Sequence, residues 1–206
     1  MLDQRLAGLN GEWRQISRAV EFVDYVQSRV GERRFQHSIS VTQVLYLIAQ
    51  DLDLDPRLAV TVGLLHDSCK SFKNDAMLAE AQRFGIPIND LQRARPSLLH
   101  GHVAAELCIT ELGVDEADVH EAISWHVTGR PGLGPLGKAL FFADFSEPLR
   151  SHPSSAKSRD IYDKLGFDAA LRFAAEAKLR YLERKGLLID PQARAFHAWL
   201  VADALP

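Results

Sequence analysis

The chain has 206 residues, 47% hydrophobic, 25% charged and 8% aromatic. That balance suits a globular domain and excludes a disordered, collagen-like or disulfide-stapled chain. Lys and Arg number 24 against 27 Asp and Glu, a formal charge of −3 with no block of either sign, so no face for a nucleic-acid duplex is expected.

Taken in chain order, the N-terminus MLDQRLAGLNGEWRQ is charged early and lacks the apolar segment of a signal peptide. Apolar spacings of three and four then predict a helix over 34–52, with Ile39, Val44, Leu45, Leu47 and Ile48 on one stripe. Asp55-Pro56 reads as a cap and first-turn proline. The helix it opens, 57–70, is apolar nearly all round and therefore central. Residues 98–112 and 115–126 read as two further helices, with Gly113 as a stop and Asp115 as a cap. A short apolar helix over 136–145 follows a Gly/Pro-rich loop. SHPSSAKS, at 151–158, is the one stretch resembling a linker. A helix over 167–185 carries Leu171, Ala175, Leu179 and Leu182 on one stripe and ends at Gly186, and Asp190-Pro191 opens a last one.

Strand signals are poor, so the expected fold class is all-α. The segment beyond the linker holds about two helices, too little core to stand alone. The expected organisation is one domain over 1–206, with a core at 34–150 and C-terminal helices at 160–204 packed on it. No stretch approaches the roughly 18 apolar residues of a membrane helix, and Cys69 and Cys108 form no paired motif. The expectation is a cytoplasmic protein with no membrane partner. GLGPLGKA, at 132–139, falls one residue short of a phosphate-cradling loop. Ala139 lacks the metal-holding hydroxyl, Pro135 removes a donor, and no strand precedes it. It is a turn between helices.

The eight histidines are the lead. His66-Asp67 ends the buried helix, and alone it would more often be a helix-terminal histidine satisfied by a carbonyl. Its company changes the odds. His37 lies at the start of the preceding helix, His100 at the start of the next, and His126 ends the one after, on the stripe of Val119 and Ile123. Asp144 faces inward, four residues after Leu140 and eight after Leu136. A buried carboxylate without a partner costs several kcal/mol, and a shared cation would relieve that cost. Mixed imidazole and carboxylate ligands suit iron, manganese, cobalt, nickel or zinc, and the absence of cysteine ligands argues against a structural zinc. His102 is about 200° around its helix from His100 and cannot easily serve the same centre. His120, His152 and His197 sit in polar or terminal contexts and read as solvated.

The order H…HD…H…H…D resembles that of HD-domain metal-dependent phosphohydrolases, and more closely their YqeK type, the symmetrical diadenosine tetraphosphate hydrolases. The strings that carry the resemblance are RFQHS (34–38), GLLHDSCK (63–70), PSLLHG (96–101), AISWHVTGRPG (122–132) and FFADFSEPLR (141–150). They span about the middle two-thirds of the chain. The departures are Val127 for a usual threonine, Phe145-Ser146 for a typical Tyr-Ile, and His102 where proline is common. None touches an expected ligand, so they bear on substrate preference.

The resemblance implies a helical HD-domain bundle with a metal site at its centre. His37, His66, Asp67 and Asp144 would hold the principal metal, iron in the family, with manganese, cobalt or nickel as substitutes. His100 and His126 would either complete a second metal site bridged by Asp67 or contact the scissile phosphate. Asp67, Lys70, His100 and His126 would be the catalytic set. Lys70 lies on the His66 and Asp67 face of the expected helix, and Arg130 and Arg150 sit in loops beside His126 and Asp144. These three, with Arg34, would bind substrate phosphates. Glu147 would orient Arg150 or a ligand's ring nitrogen. The implied reaction is hydrolysis of diadenosine tetraphosphate to two ADP. The alternatives are another HD-domain nucleotidase or pyrophosphohydrolase, or a non-catalytic nucleotide-binding module. The expected partner is a dinucleoside polyphosphate or other nucleotide, with a homodimer left open.

Overall fold

A computed structural model describes residues 1–203, and the described residues contain helices and turns but no strand. The fold is all-α. Twelve helices follow in order: α1 Leu2–Ala7, α2 Ala19–Arg29, α3 Glu32–Asp51, α4 Pro56–Leu65, α5 Asn74–Arg83, α6 Asp90–Ala94, α7 His100–Leu112, α8 Ala117–Trp125, α9 Pro135–Ser146, α10 Pro153–Leu165, α11 Phe167–Arg184 and α12 Pro191–Ala202. Two 3-10 turns, Glu12–Gln15 and Pro96–Leu99, precede α2 and α7. None of the described helices is long and apolar enough to cross a membrane.

The caps follow from the sequence. Asp55 accepts a hydrogen bond from the Arg57 amide, with Pro56 in the first turn, and Asp190 does the same for Gln192 ahead of Pro191. Each such cap is worth about 1 kcal/mol. Gly113 closes α7 in the left-handed conformation, φ 62°. Glu116, rather than Asp115, stands at the cap position of α8, without a side-chain cap bond.

The sequence-predicted elements shift in three places. The central helix ends at Leu65 rather than Lys70, because the chain tightens over His66–Phe72 into successive turns such as Ser68 N–H to Leu65 O and Lys70 N–H to Asp67 O. Residues 96–99 form a 3-10 turn rather than the first turn of α7. The linker-like stretch is mostly helix. Pro153 starts α10, and two of the serines that looked like linker residues are buried, Ser155 Oγ donating to the Arg150 carbonyl and Ser158 Oγ to that of Ser155. Helices α1, α2, α5 and α6 are not among the expected elements, although α2 buries Ala19, Phe22, Val23 and Val26 at helical spacing.

Helix α4 is the axis of the bundle, packed against α2, α3, α8 and α9. Its Val60, Val62, Leu64 and Leu65 are at most 1% exposed. Gly63 permits the close α3 contact: a Cβ there would lie 2.8 Å from the Thr42 backbone. Helices α10 and α11 pair with each other and lie on α9, while α12 packs on α11. The N-terminus is stitched to both parts. Arg5 pairs with Asp51 at 2.6 Å, and Arg159 of α10 binds Asp3 and, at 2.6 Å, the Ser146 carbonyl.

Candidate active site

Five helices bring the six expected ligands to one place. His37 comes from α3, His66 and Asp67 from the turn after α4, His100 from the start of α7, His126 from the end of α8 and Asp144 from the last turn of α9. His66 and His126 follow the last turns of their helices, so each Nδ1 reaches a carbonyl three residues back. His66 Nδ1 meets Gly63 O at 2.9 Å and His126 Nδ1 meets Ile123 O at 2.7 Å. His100 Nδ1 does the same with Ser97 O at 2.5 Å across the 3-10 turn. A ring nitrogen facing a carbonyl carries the proton, which leaves Nε2 of each ring as a bare lone pair turned toward the cluster. The carbonyl-satisfied histidine of the sequence reading is present here, but it accounts for only one of the two nitrogens.

His37 is held differently. Its Nδ1 faces Glu147 Oε1 at 3.1 Å and its Nε2 faces Asp144 Oδ1 at 3.1 Å. Burial disfavours its charge, but the two carboxylates override that and raise its pKa to about 9. Burial keeps His66 neutral, its pKa pushed down to about 4. Burial and then the Lys70 ammonium push His100 to about 3.

Asp67 divides the cluster. Its Oδ2 faces His37 Nε2 at 3.9 Å and His66 Nε2 at 4.0 Å, while its Oδ1 faces His100 Nε2 at 2.9 Å and His126 Nε2 at 3.6 Å. Two ligand groups result, His37–His66–Asp67 and Asp67–His100–His126, sharing one carboxylate. Burial works against charge on Asp67 and Asp144. Lys70 holds the first well below the usual carboxylate range, and Arg150, then His37, hold the second.

All of the six but the fully buried His66 form one wall of a cleft of about 1070 Å³. Arg34 Nη1 binds Asp67 Oδ2 at 2.5 Å, and Arg150 binds both the side chain and the carbonyl of Asp144. Lys70, despite the early end of α4, still meets the cluster, its Nζ 2.7 Å from His100 Nε2 and 3.8 Å from Asp67 Oδ1. Arg130 does not line the cleft. It pairs with Glu121, and its guanidinium lies 5.7 Å from the centre of the Trp125 ring.

Three further residues line the cleft. Glu147 orients the His37 ring nitrogen, and it is not within salt-bridge distance of Arg150. His152 is solvent-exposed, as expected, and lies at the cleft edge-on against Phe145. Lys178 of α11 also lines the cleft, and no motif marked it. His102 turns away to pack on Trp125, and His120 pairs with Glu106 at 2.9 Å.

The donor set fits a divalent metal. His66 Nε2 is fully buried without a hydrogen-bond partner, a loss of one to a few kcal/mol in a site that only protein surrounds. His100 and His126 bring two proton-free nitrogens within 2.9 Å of each other beside a carboxylate oxygen, an arrangement that repels itself unless a cation serves it. The shell around the ligands is complete, since each ring has its Nδ1 fixed by an oxygen.

Comparison with known proteins agrees with this geometry. A family model described as the HD domain matches residues 34–168. The chain is 28% identical over 177 residues to the symmetrical bis(5'-nucleosyl)-tetraphosphatase of Bacillus subtilis, covering 86% of this chain and 94% of the relative. It is 28% identical to the protein of the same name from Staphylococcus aureus, over 79% of this chain and 84% of that one. Among solved structures, a predicted HD superfamily hydrolase involved in NAD metabolism from Clostridium acetobutylicum superposes with a TM-score of 0.84 at 26% identity, covering 89% of this chain and 96% of that chain. With the match extending over more than half of its length, the chain belongs to the HD-domain family.

Proposed function

We propose that the protein is a metal-dependent hydrolase of dinucleoside polyphosphates, cutting diadenosine tetraphosphate at its centre to give two ADP. One observation carries the chemistry: imidazole nitrogens and the carboxylates of Asp67 and Asp144 converge at a cleft flanked by Arg34, Lys70 and Arg150. The named activity of the Bacillus and Staphylococcus relatives supports the choice of substrate.

His37, His66, Asp67 and Asp144 would hold the principal ion, and iron is the metal we propose. A bound ion of this kind lowers the pKa of water toward neutrality and neutralises developing charge on phosphoryl oxygens. The remaining work falls to the chain. Lys70 is a point charge against the non-bridging oxygens of the scissile phosphate, preorganised by Asp67 and His100. His100 and His126, with Asp67, would hold a second ion, because a proton-free Nε2 is a ligand for a cation and no donor to a phosphate oxygen. Arg34 and Arg150 each keep guanidinium N–H groups beyond those engaged by Asp67 and Asp144, and these grip phosphates along the chain. Glu147 fixes His37, and through it the orientation of Nε2.

We further take residues 1–206 as one domain. The ties from α1 to Asp51 and Asp163, and from Arg159 to Asp3 and Ser146, support that organisation. The test of function is metal analysis of protein purified without added metal, paired with turnover of dinucleoside polyphosphates and mononucleotides. Iron or another transition metal with preferred turnover of the tetraphosphate upholds the reading. Metal-free protein that binds nucleotides without turnover overturns it in favour of a binding module.

A further inference from the structure

Resting on the reading above, we infer that Lys178 of α11 forms a second phosphate subsite, holding the phosphate next to the one at the metal-binding cluster. The cleft cations read from sequence are already engaged. Arg34 is bound by Asp67, Arg150 by Asp144, and Lys70 lies against Asp67 and His100. Lys178 lines the same cleft, and among the described residues no carboxylate lies within 4.0 Å of its Nζ. Arg33 also lines the cleft without such a partner, but it is solvent-exposed. Lys178 is half-buried, its ammonium 4.5 Å from the centre of the Phe141 ring.

A desolvated ammonium without a contacting anion is costly, and burial, seconded by the Arg150 and Lys70 charges, lowers the Lys178 pKa to about 8 against the pull of Asp144. The aromatic face offsets part of that cost and leaves the remaining donors free. On its other side Lys178 borders a small apolar pocket of about 100 Å³ whose walls include Leu98, Val127, Phe141 and Phe196. It therefore stands where a charged chain leaving the cluster meets an apolar wall, the order in which phosphate and nucleoside follow one another in a nucleotide. Lys178 also lies beyond the segment matched by the family model, 34–168, so this subsite comes from the C-terminal helices.

The experiment is calorimetric titration of the metal-loaded enzyme with ADP and, separately, with inorganic phosphate, in wild type, Lys178→Met and Lys178→Arg. Methionine keeps an unbranched stem against Phe141 and removes only the charge, and the melting temperature checks folding. The expected result is a Kd for ADP raised about tenfold by Lys178→Met, the scale of one charged hydrogen bond. The Kd for phosphate stays within about twofold, and Lys178→Arg recovers most of the ADP affinity. Unchanged ADP affinity overturns the subsite. Equal weakening for ADP and phosphate overturns it too, because a general field or structural loss acts on both. A failure of the tetraphosphatase reading shows separately, in the wild-type products, whereas a failure of this inference leaves those products intact.

Discussion

Gly101 follows His100 in α7, and a methyl group placed there would lie 2.8 Å from the carbonyl oxygens of both Ile123 and Ser124 and 3.2 Å from His126 Nδ1. To restore an ordinary contact of 3.4 Å, α7 and α8 must separate by about 0.6 Å. That displacement falls on two interactions at once. The Ile123 carbonyl is the acceptor that fixes His126 Nδ1 at 2.7 Å, and the His100 and His126 Nε2 atoms it helps to align are 2.9 Å apart. Gly101→Ala should therefore cost about 1–3 kcal/mol of stability through overpacking. It should also lower kcat/KM at least about tenfold, as loosening of the groups that orient site imidazoles does. Leu171→Ala, at a core position 1% exposed on α11, serves as control, costing about 2–5 kcal/mol while leaving activity per folded molecule intact. The assay is kcat/KM with the folded fraction fixed by thermal melting. Wild-type kcat/KM in folded Gly101→Ala would refute the claim that helix spacing sets the His100–His126 geometry.

Asp67→Ala removes the carboxylate shared by both ligand groups and should abolish bound metal and nearly all turnover while helix content by circular dichroism persists; full metal occupancy would show the assignment to be wrong. Lys70→Ala should keep its metal and lose about 2–4 kcal/mol of transition-state stabilisation, the scale of a preorganised charge contact, and unchanged kinetics would leave Lys70 with a structural role only. Chelation should lower the melting temperature, and re-addition of metal at about 100 times its Kd should restore about 2.7 kcal/mol; a melting curve indifferent to chelator would mean that the cluster holds no ion. The tetraphosphate should be cleaved at least about tenfold better than the triphosphate, a difference of about 1.4 kcal/mol. Arg150→Ala should narrow that gap, and equal wild-type kcat/KM for both substrates would mean that the cleft cations do not measure chain length.

The helices that build the site were readable because their signals are local. Asp55-Pro56 and Asp190-Pro191 carry their caps within two residues. His66, Asp67 and Asp144 sit on apolar stretches where a polar side chain needs a reason. What escaped depends on pairing across the fold. Arg130 looked like a phosphate ligand from its place in TGRP, yet Glu121, nine residues earlier, claims it. Lys178 reads as an ordinary lysine on an amphipathic helix until α11 is laid on α9 and its side chain borders the cleft. The stretch at 151–158 looked like a linker because serine usually competes with helix. The Ser155 and Ser158 hydroxyls instead donate to nearby carbonyls from the buried face of α10.

The central claim is a symmetrical cut beside the His/Asp cluster. Its most direct test is the product distribution when metal-loaded wild-type enzyme hydrolyses diadenosine tetraphosphate, resolved by anion-exchange chromatography at early turnover. The account predicts ADP as the sole nucleotide product, and AMP together with ATP would contradict it.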